Sequence, residues 1–484
     1  MRSPWSILAV LVMGTACTAA AAAVTPAAEW RDIRRSPLRA FTPAQPKRVV
    51  FGNGMVVFIQ EDHELPLIQT TLTIRGGARE EDPAKVGLAS LYWRVWRTGG
   101  TKTRTGDELD ELLATRAAEL ETSMDLDSSS ISFNCLKENL DEVFPVFLEV
   151  LREPEFRQDK IDLARRLVGS SIVRRNDDPG AIAQREAQKL GYGAWPYTRQ
   201  VEFATLAAVT RDDLLAWHKK FMHPSNMILG VIGDFDTAVM EARLRKAFAS
   251  LPAGTPAKHA RGARLPGGKP GYYLVEKDDV NQTTIRMVHL GTTVDNPDYY
   301  AIEVANEIIG GGFSSRLFSS IRTRKGLAYV VGGGIGTDYS DPGLVSMVTS
   351  TKSETTAAAI DALFEEIDNF KKVPPTSEEL QKAKDALLNS FVFNVNQRYK
   401  ILSRRMTYEF HGYPLDTLER YPAGIEKVTL ADVARVLETY VHKNKLAVVV
   451  VGKSADFDRP LTSFGPVTPI DVTIPPPPGA PKAP

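Results

Sequence analysis

The chain has 484 residues, 43% of them hydrophobic, which is enough for about three average domains or two large ones with their own cores. Its 59 basic and 59 acidic residues cancel, so no overall charge favours nucleic acid or an anionic membrane surface. We therefore expect no nucleic-acid partner.

Residues 1–24 have the pattern of a secretory signal, with Arg2 as the positive end, an apolar stretch from Trp5 to Met13 and small residues through Ala23. Two processing routes remain open. The signal is either cleaved at the small residues or processed as a lipoprotein with a lipid on Cys17, although a glycine stands where a lipoprotein box usually has a large aliphatic residue. Both routes predict a periplasmic or otherwise exported protein.

The cysteine count predicts a mature chain without internal disulfides. Once Cys17 is removed or acylated, only Cys135 remains. Cys135 lies in an apolar segment with no histidine nearby in sequence, so nothing supports it as a nucleophile. No later run approaches the roughly 20 apolar residues that a membrane-spanning helix requires.

An internal duplication organises the chain. The segment 209–233 aligns without a gap on 428–452, and each reads as a capped helix, a turn and a buried strand that ends in glycine. Helical runs at 155–166 and 377–385 precede these two segments by nearly the same number of residues. The sequence thus contains two copies of one unit.

Each copy places strands before and between its helices. The predicted strands are Arg48–Gln60, Leu67–Arg75 and Ser129–Asn134 in the first copy, and Tyr272–Glu276, Gln282–Leu290 and Leu344–Ser350 in the second. We therefore predict an α+β fold in which each copy forms a mixed or antiparallel sheet covered by α-helices.

The boundaries follow from composition. We predict an N-terminal domain at 46–251, a Pro- and Gly-rich linker at 252–271, a C-terminal domain at 272–460 and a Pro-rich tail at 469–484 that acts as an extended or disordered spacer.

The most informative run begins with three glycines. Gly310, Gly311 and Gly312 remove every Cβ from a turn, permit positive φ and, with Ser314 and Ser315, provide backbone that a peptide can approach. A short amphipathic helix ended by Gly326 and a strand at 327–331 are predicted to follow.

Arg322 and Tyr329 flank the break between that helix and strand. A guanidinium fork and a phenol hydroxyl together suit a carbonyl, a carboxylate or a developing oxyanion. Residue types alone favour the other interpretation, a plain helix-to-strand turn with a solvated Arg322 and a half-buried Tyr329.

The run GGGFSSRLFSSIRTRKGLAYVV resembles the second-domain signature of the insulinase-like (pitrilysin, M16) metallopeptidases, in which an arginine and a tyrosine stand seven positions apart, as Arg322 and Tyr329 do. The resemblance covers nearly all of residues 48–452. It implies two homologous domains that face each other across a cleft.

The resemblance also implies where a zinc site would be. These peptidases carry His-x-x-Glu-His on a first-domain helix, but the equivalent run GLASLYWRVWRTGGT has Ser90 and Arg94 at the histidine positions and Trp93 at the glutamate position. Ser170 and Ser171 stand where a further glutamate is expected. We expect no zinc and no other cofactor in this chain, and expect the aromatic helix to serve in packing.

None of the histidines has the spacing of a replacement site. The seven are His63, His218, His223, His259, His289, His411 and His442, and no pair stands three or four residues apart beside a carboxylate. We expect each to be a surface or structural residue.

The family has a branch in which the enzyme is split between a zinc-bearing chain and a chain that lacks zinc but keeps the arginine and tyrosine. The resemblance implies that this chain is of the second kind, forms a heterodimer with a zinc-bearing M16 subunit, and uses Arg322 and Tyr329 to position peptide substrates. Strand addition at a sheet edge would bind the peptide. The alternatives are a catalytically inert structural subunit and a peptide-binding protein that acts alone.

Overall fold

The computed structural model describes residues 45–257 and 267–479. The predicted signal, Cys17, the middle of the predicted linker and His259 lie outside the described residues. Across the described ranges, no helix has both the length and the apolar character needed to cross a membrane.

The first half contains six strands and eight helices within residues 45–257. In chain order they are β1 (Lys47–Val50), β2 (Val56–Glu61), β3 (Leu67–Arg75), α1 (Leu88–Thr98), α2 (Gly106–Thr115), β4 (Glu119–Met124), β5 (Ser128–Leu136), α3 (Leu140–Arg152), α4 (Gln158–Val173), α5 (Pro179–Tyr192), α6 (Phe203–Ala207), α7 (Arg211–Phe221), β6 (Met227–Gly233) and α8 (Thr237–Phe248). The strands form one mixed sheet, sheet 1, in the order β1-β2-β6-β3-β5-β4, in which only β2 and β6 run parallel.

The second half repeats this pattern within residues 267–479. Its elements are β7 (Gly271–Glu276), β8 (Gln282–Leu290), β9 (Thr292–Thr293), α9 (Tyr299–Asn306), β10 (Val330–Gly334), β11 (Thr337–Asp338), β12 (Leu344–Lys352), α10 (Thr356–Lys372), α11 (Ser377–Phe391), α12 (Arg398–His411), α13 (Thr417–Lys427), α14 (Leu430–Tyr440), β13 (Ala447–Gly452) and β14 (Val467–Pro469). Six strands form sheet 2 in the order β10-β12-β8-β13-β7-β14, and β9 pairs with β11 separately.

The two sheets have equivalent strand orders, and this equivalence extends to local detail. Helices α7 and α14 begin with the same capping box, in which Thr210 and Asp213, or Thr429 and Asp432, each bond the other residue's backbone N–H. A fully buried strand, β6 or β13, follows in each half. The predicted α+β fold of two similar halves is confirmed.

One predicted strand is instead a hairpin. The run Arg48–Gln60 divides into β1 and β2 because the chain turns back at Gly-Asn-Gly: Gly54 has φ +88°, and the Asn53 Oδ1 accepts a hydrogen bond from the Met55 N–H. The apolar pattern correctly predicted extended backbone on both sides of the turn. The Gly-Asn-Gly signal divides the predicted strand into two.

Each half covers the outer face of the other half's sheet with one helix. Helix α12 packs Leu402, Met406 and Phe410 on sheet 1 against Phe58 and Ile228. Conversely, α5 of the first half packs on β8 and β13 of sheet 2, where its members of the shared apolar cluster are Ile182, Ala183 and Ala187. The main cores lie on the opposite faces, under the remaining helices.

Residues 467–474 form a structural strap, which corrects the start of the predicted spacer, whereas the prolines at 475–478 are exposed and outside any helix or strand. Strand β14 pairs in parallel with β7 and supplies the sixth strand of sheet 2, so the second half extends beyond the predicted boundary at 460. Ile470 and Val472 then pack on the α5 cluster, and Ile474 reaches the core of the first half. All three aliphatic side chains are partly buried, and this burial favours the docked position of residues 470–474.

Candidate functional site

The glycine-rich segment forms the wide final turn of a helix. Helix α9 continues as a π-helical turn over Glu307–Gly311, and Gly312 is extended with φ −154°. None of the three glycines adopts the positive φ that their lack of a Cβ permits. Gly310 is required by close approach instead, because a Cβ there would lie 2.2 Å from the carbonyl oxygen of Gly333 in β10. The backbone that closely approaches Gly310 is therefore the chain's own edge strand, β10.

The two serines of this segment have different surroundings. Ser314 is exposed, whereas Ser315 is buried and its hydroxyl accepts a weak hydrogen bond from the Phe318 N–H at 3.4 Å. Of the predicted peptide-contacting residues, Gly311 and Ser314 are thus the most exposed, and Ser315 supports the local fold.

A second π-helical segment, Phe318–Arg324, follows, and Gly326 with φ +64° ends it as predicted. Strand β10 begins at Val330, three residues later than predicted. π-Helical turns are uncommon and occur often at functional sites, because they shift side chains out of the regular helical register. Here the shift brings Arg322 beside Tyr329.

Arg322 and Tyr329 meet as a cation–π pair. The Arg322 Cζ lies 4.8 Å from the centre of the Tyr329 ring and 4.7 Å from that of Phe318, so the guanidinium is held between two rings. Phe313 extends the stack, packing edge-on against Phe318 with ring centres 5.0 Å apart. We call Phe313, Phe318, Arg322 and Tyr329 the aromatic–arginine stack.

The stack is open to solvent and its polar atoms are unused. Tyr329 is 75% exposed and Phe313 is 82% exposed. Within residues 45–257 and 267–479, the Arg322 guanidinium forms no hydrogen bond or ion pair, and the Tyr329 hydroxyl has no hydrogen-bond partner. Ring stacking occupies the faces of the guanidinium and leaves its in-plane N–H donors free for a ligand oxygen.

Sequence reasoning missed the residue that anchors this segment. Arg316 donates from Nε and Nη2 to the two oxygens of Glu379 at 2.7 and 2.9 Å, and also to the carbonyls of Val373 and Pro374. The hydrogen bonds from Arg316 lower the pKa of the Glu379 carboxyl to about 2. Thr376-Ser-Glu-Glu379 has the form of a capping box, which marks the helix start, but nothing in the sequence links it to Arg316.

Strand β10 gives the stack an adjacent sheet edge. It pairs with β12 on one side and, in the described structure, has no strand on the other. Val330 at its start is exposed. The unpaired backbone groups of such an edge accept an added strand.

The helix equivalent to the zinc helix is α1, and its residues do not fit a metal. Ser90, Trp93 and Arg94 lie on one partly exposed stripe, and the Arg94 Cζ lies 4.2 Å from the centre of the Trp93 ring. A serine hydroxyl is a weak zinc ligand at neutral pH, indole is not one, and a guanidinium repels a cation. Elsewhere in the described ranges, no group of three or more His, Cys, Asp or Glu side chains has a metal-binding arrangement.

The two serines at the position of the missing glutamate form hydrogen bonds within their own helix. Ser170 and Ser171 lie exposed on α4, where their hydroxyls donate to the carbonyls of Arg166 and Leu167 at 3.0 and 3.2 Å. Hydroxyls that bond back to the preceding turn are common in helices.

The buried face of α1 is an aromatic core. Trp96 is fully buried and donates from Nε1 to the Val150 carbonyl, and Tyr92 packs between Trp96 and Phe156. The expected packing role thus holds for Trp96 but not for Trp93, which lies partly exposed under Arg94.

His218 completes that core as a neutral residue. Its Nε2 donates to the Leu151 carbonyl at 3.0 Å, so its Nδ1 accepts from the Tyr92 hydroxyl at 2.8 Å. Burial lowers the pKa of His218 to about 4. His223 and His289 are also buried, and exposed His63 bonds Asp234 and Glu61, so these four histidines are structural or surface residues.

Cys135 is buried in β5, and burial raises the pKa of its thiol to about 11. A thiol with so high a pKa carries almost no thiolate at neutral pH. It is therefore a core residue.

A cavity of about 860 Å³ with both polar and apolar lining lies between the outer face of sheet 1 and α12. Carboxylates line it, among them Glu119, Glu121, Asp127 and Asp338, and burial raises the pKa of Asp338. At its rim, Arg79 of the first half bridges Asp127 and Asp341 at 2.6 and 2.5 Å. This cavity is the cleft between the halves, and it lies apart from the aromatic–arginine stack, none of whose residues lines it.

Comparisons with known proteins agree on one family. The insulinase (peptidase family M16) model matches residues 56–197, and the model described as the peptidase M16 inactive domain matches residues 208–387. A Helicobacter pylori protein named non-peptidase homolog YmxG is 24% identical over 402 residues, which are 82% of this chain and 91% of that protein. An uncharacterized zinc protease of Rickettsia felis is 25% identical over 344 residues, 70% of this chain and 81% of its own length.

Solved structures share the fold. The peptidase M16 inactive domain of Pseudomonas fluorescens superimposes with a TM-score of 0.76 at 23% identity, over 84% of this chain and 98% of the other. A protease from Helicobacter pylori gives a TM-score of 0.72 at 20% identity, over 85% of this chain and 100% of the other.

Proposed function

Because this chain belongs to the insulinase-like peptidase family M16, we propose that it is the zinc-lacking subunit of a two-chain peptidase and positions peptide substrates for a zinc-bearing partner subunit. The N-terminal sequence pattern supports an exported location for this assembly. In the proposed complex, zinc belongs to the partner.

One observation carries the proposal: the Arg322 guanidinium is held between the rings of Phe318 and Tyr329, with its donors unused by the described residues. A charged side chain fixed in this way loses little conformational entropy when it binds a carbonyl or carboxylate. The adjacent Tyr329 hydroxyl adds one more donor to the same ligand.

The edge strand β10 supports peptide, rather than small-molecule, recognition. A peptide that pairs with the free edge of β10 uses backbone hydrogen bonds and so shows little sequence preference. Its backbone would pass the stack, because β10 begins at the residue after Tyr329.

The stripe Ser90, Trp93 and Arg94 supports a chain without catalytic activity of its own, since none of these side chains suits zinc. The name of the Helicobacter pylori non-peptidase homolog and the inactive-domain description of the second matching model point in the same direction. Another relative is named an uncharacterized zinc protease, so the names of the relatives alone do not decide between the two roles.

The test reconstitutes the chain with a zinc-bearing M16 relative and measures hydrolysis of a fluorogenic peptide by each protein alone and by the mixture. We expect activity above the sum of the two only in the mixture. Arg322→Ala should reduce that gain by about 100-fold, the usual effect of removing a donor that holds a reacting carbonyl. Arg324→Ala, an exposed arginine on the same segment, is the matched control and should leave the gain unchanged.

An inert structural or solitary peptide-binding role is the alternative. Activity of the mixture that is unchanged by both Arg322→Ala and Tyr329→Phe would indicate a structural subunit. Activity and stoichiometric zinc in this chain alone would refute the proposal.

A further inference from the structure

We propose that the cavity between the outer face of sheet 1 and α12 binds a linear polyamine, whose terminal ammonium groups pair with carboxylates at the two ends of a row of hydroxyls along β5. This site is separate from the aromatic–arginine stack, takes a small molecule rather than a peptide, and does not depend on a partner subunit.

The charge of the cavity lining is the first argument. The described residues that line the cavity include no lysine or arginine but five carboxylates, those of Glu119, Glu121, Asp125, Asp127 and Asp338. Within the same described lining, His411 is the only basic side chain, and it stacks on Tyr339 and hydrogen-bonds Ser340. A cleft lined by one sign of charge concentrates its field and attracts the opposite charge. The cavity therefore favours a cation.

One group of carboxylates lies beside the later part of β5. Glu119 and Glu121 stand on β4 opposite Asn134 and Ser132 of β5, and all four residues line the cavity. Both glutamates are exposed, and neither forms an ion pair or a hydrogen bond with the described residues. Their two negative charges are therefore available to a ligand.

The other group lies at the start of β5, where the two halves meet. Burial raises the pKa of Asp338 there, and the neighbouring charges of Asp127 and Asp341 add to this effect. Arg79 pairs with Asp127 and with Asp341, but the Oδ1 of Asp341 is shielded and has no partner. One guanidinium thus balances only one of three carboxylates. An ammonium group bound beside Asp127 and Asp338 would offset the excess of negative charge.

The separation of the two groups selects the length of the ligand. Asp127 directly precedes Ser128, and four residue steps along β5 lead from Ser128 to Ser132, which is about 14 Å at the usual rise of a strand. An extended tetraamine such as spermine has its terminal ammonium groups a similar distance apart, whereas a diamine is too short to reach both ends. The spacing therefore predicts a preference for the longer polyamines.

The surfaces between the two ends suit alternating ammonium and methylene groups. The hydroxyls of Ser132 in β5 and of Thr71 and Thr73 in β3 have no hydrogen-bond partner among the described residues. They can accept hydrogen bonds from the inner ammonium groups of a polyamine. Met406 and Phe410 of α12 also line the cavity and provide apolar contacts for the methylenes.

Two other kinds of cation fit this cavity less well. A metal ion needs several ligands around one point, and the described residues contain no group of three or more His, Cys, Asp or Glu side chains that could hold one. Strand β5 is paired on both sides, with β3 and with β4, so the floor of the cavity has no free backbone edge for a peptide. A small molecule with several ammonium groups needs neither feature.

The test measures binding to the chain alone by isothermal titration calorimetry, in about 0.1 M salt, which screens exposed charges more than about 10 Å apart. The probes are spermine, spermidine, putrescine and Mg²⁺. We expect spermine to bind at least about tenfold more tightly than putrescine, because it adds a charge-assisted contact at the far end. Spermidine should bind with intermediate affinity, and Mg²⁺ should bind more weakly than spermine.

The double substitution Glu119→Gln and Glu121→Gln should remove most of the advantage of spermine over putrescine, since only one end then keeps its carboxylates. The matched control is Glu111→Gln with Glu354→Gln, which removes the same charge at two exposed residues outside the cavity lining and should leave the advantage intact. Circular dichroism verifies that both double variants fold.

Two single variants test the place of binding. Ser132→Met should weaken spermine binding, because the longer side chain obstructs the row of hydroxyls. Arg322→Ala should leave spermine binding unchanged, which separates this site from the proposed function.

The absence of measurable spermine binding, equal affinities for spermine and putrescine, or equal losses in the two double variants would each overturn the proposal. Tighter binding of Mg²⁺ than of spermine would do the same. A lysine-rich decapeptide that binds more tightly than spermine would identify a peptide site in the cavity and would also overturn it.

Discussion

Buried His218 should make the stability of this protein depend on pH. It is neutral in the fold, where its Nδ1 accepts from Tyr92 and its Nε2 donates to Leu151, and its pKa is lowered by burial from 6.5 to about 4. The unfolded chain binds a proton at this residue between those two values and the folded chain does not. Lowering the pH through this window therefore favours unfolding.

The magnitude follows from the two pKa values. Each pH unit inside the window changes the free energy of unfolding by about 1.4 kcal/mol per titrating group. For a pKa of 6.5 in the unfolded chain and about 4 in the fold, the loss between about pH 7.5 and about pH 5 is roughly 2 kcal/mol. His289, whose pKa burial also lowers to about 4, adds a similar loss of its own.

His218→Gln isolates the effect of this residue, because glutamine keeps one donor and one acceptor but does not titrate. Urea unfolding followed by tryptophan fluorescence at both pH values should show that the variant loses about 2 kcal/mol less than the unaltered chain. Tyr92→Phe is the control: it removes a hydrogen bond at every pH, costs about 1 kcal/mol, and should keep the pH dependence. Equal pH dependence in His218→Gln and the unaltered chain would refute a buried neutral His218.

Three further substitutions test the segments around the site. Glu379→Gln should weaken the anchor to Arg316 and lower the free energy of unfolding at neutral pH by about 1 kcal/mol, since partial exposure screens much of the pair; in thermal melts the difference should shrink as the pH falls below 4.5 and vanish near the folded pKa of about 2. Gly310→Ala should cost about 2 kcal/mol or more, because its Cβ meets the Gly333 carbonyl; an unchanged melting temperature would show that the strand moves freely. Arg79→Met removes the cation that pairs with half-buried Asp127 and buried Asp341 and should cost about 3 kcal/mol in urea unfolding, whereas a smaller loss than at the exposed control Arg174→Met would contradict a shielded bridge between the halves.

Much of the fold was predictable because local signals and the duplication agree. Strand β3 matches its predicted bounds, and the capped helices before β6 and β13 carry Thr-x-x-Asp at their starts. The exchange of α5 and α12 was not predictable, since an apolar helix stripe does not reveal which sheet it will cover. The start of the tail was misjudged for a related reason: three aliphatic residues among prolines are too few for a periodic pattern, yet each packs, partly buried, against a hydrophobic cluster.

The proximity of Arg322 and Tyr329 follows from the sequence, but the geometry of the pair does not. Arg322 and Tyr329 were expected to act as two donors around one ligand, and the structure adds that they stack on each other, with Phe318 on the far side. The π-helical register that brings them together depends on contacts with β10 and leaves no periodic signal. The stacking of Arg94 on Trp93 was missed because neighbours in sequence usually point to different sides of a helix.

The covering of each half's sheet by a helix of the other half also determines when the first half can finish folding during synthesis. Among the described residues, α12 supplies the buried side chains that cover the outer patch of sheet 1 around Phe58 and Ile228, and α12 is translated long after β6. A newly made first half therefore exposes an apolar surface until the ribosome has passed residue 411, the end of α12. Proteolytic nicking between residues 257 and 267 should leave both fragments associated, because each fragment supplies the helix that covers the other's sheet.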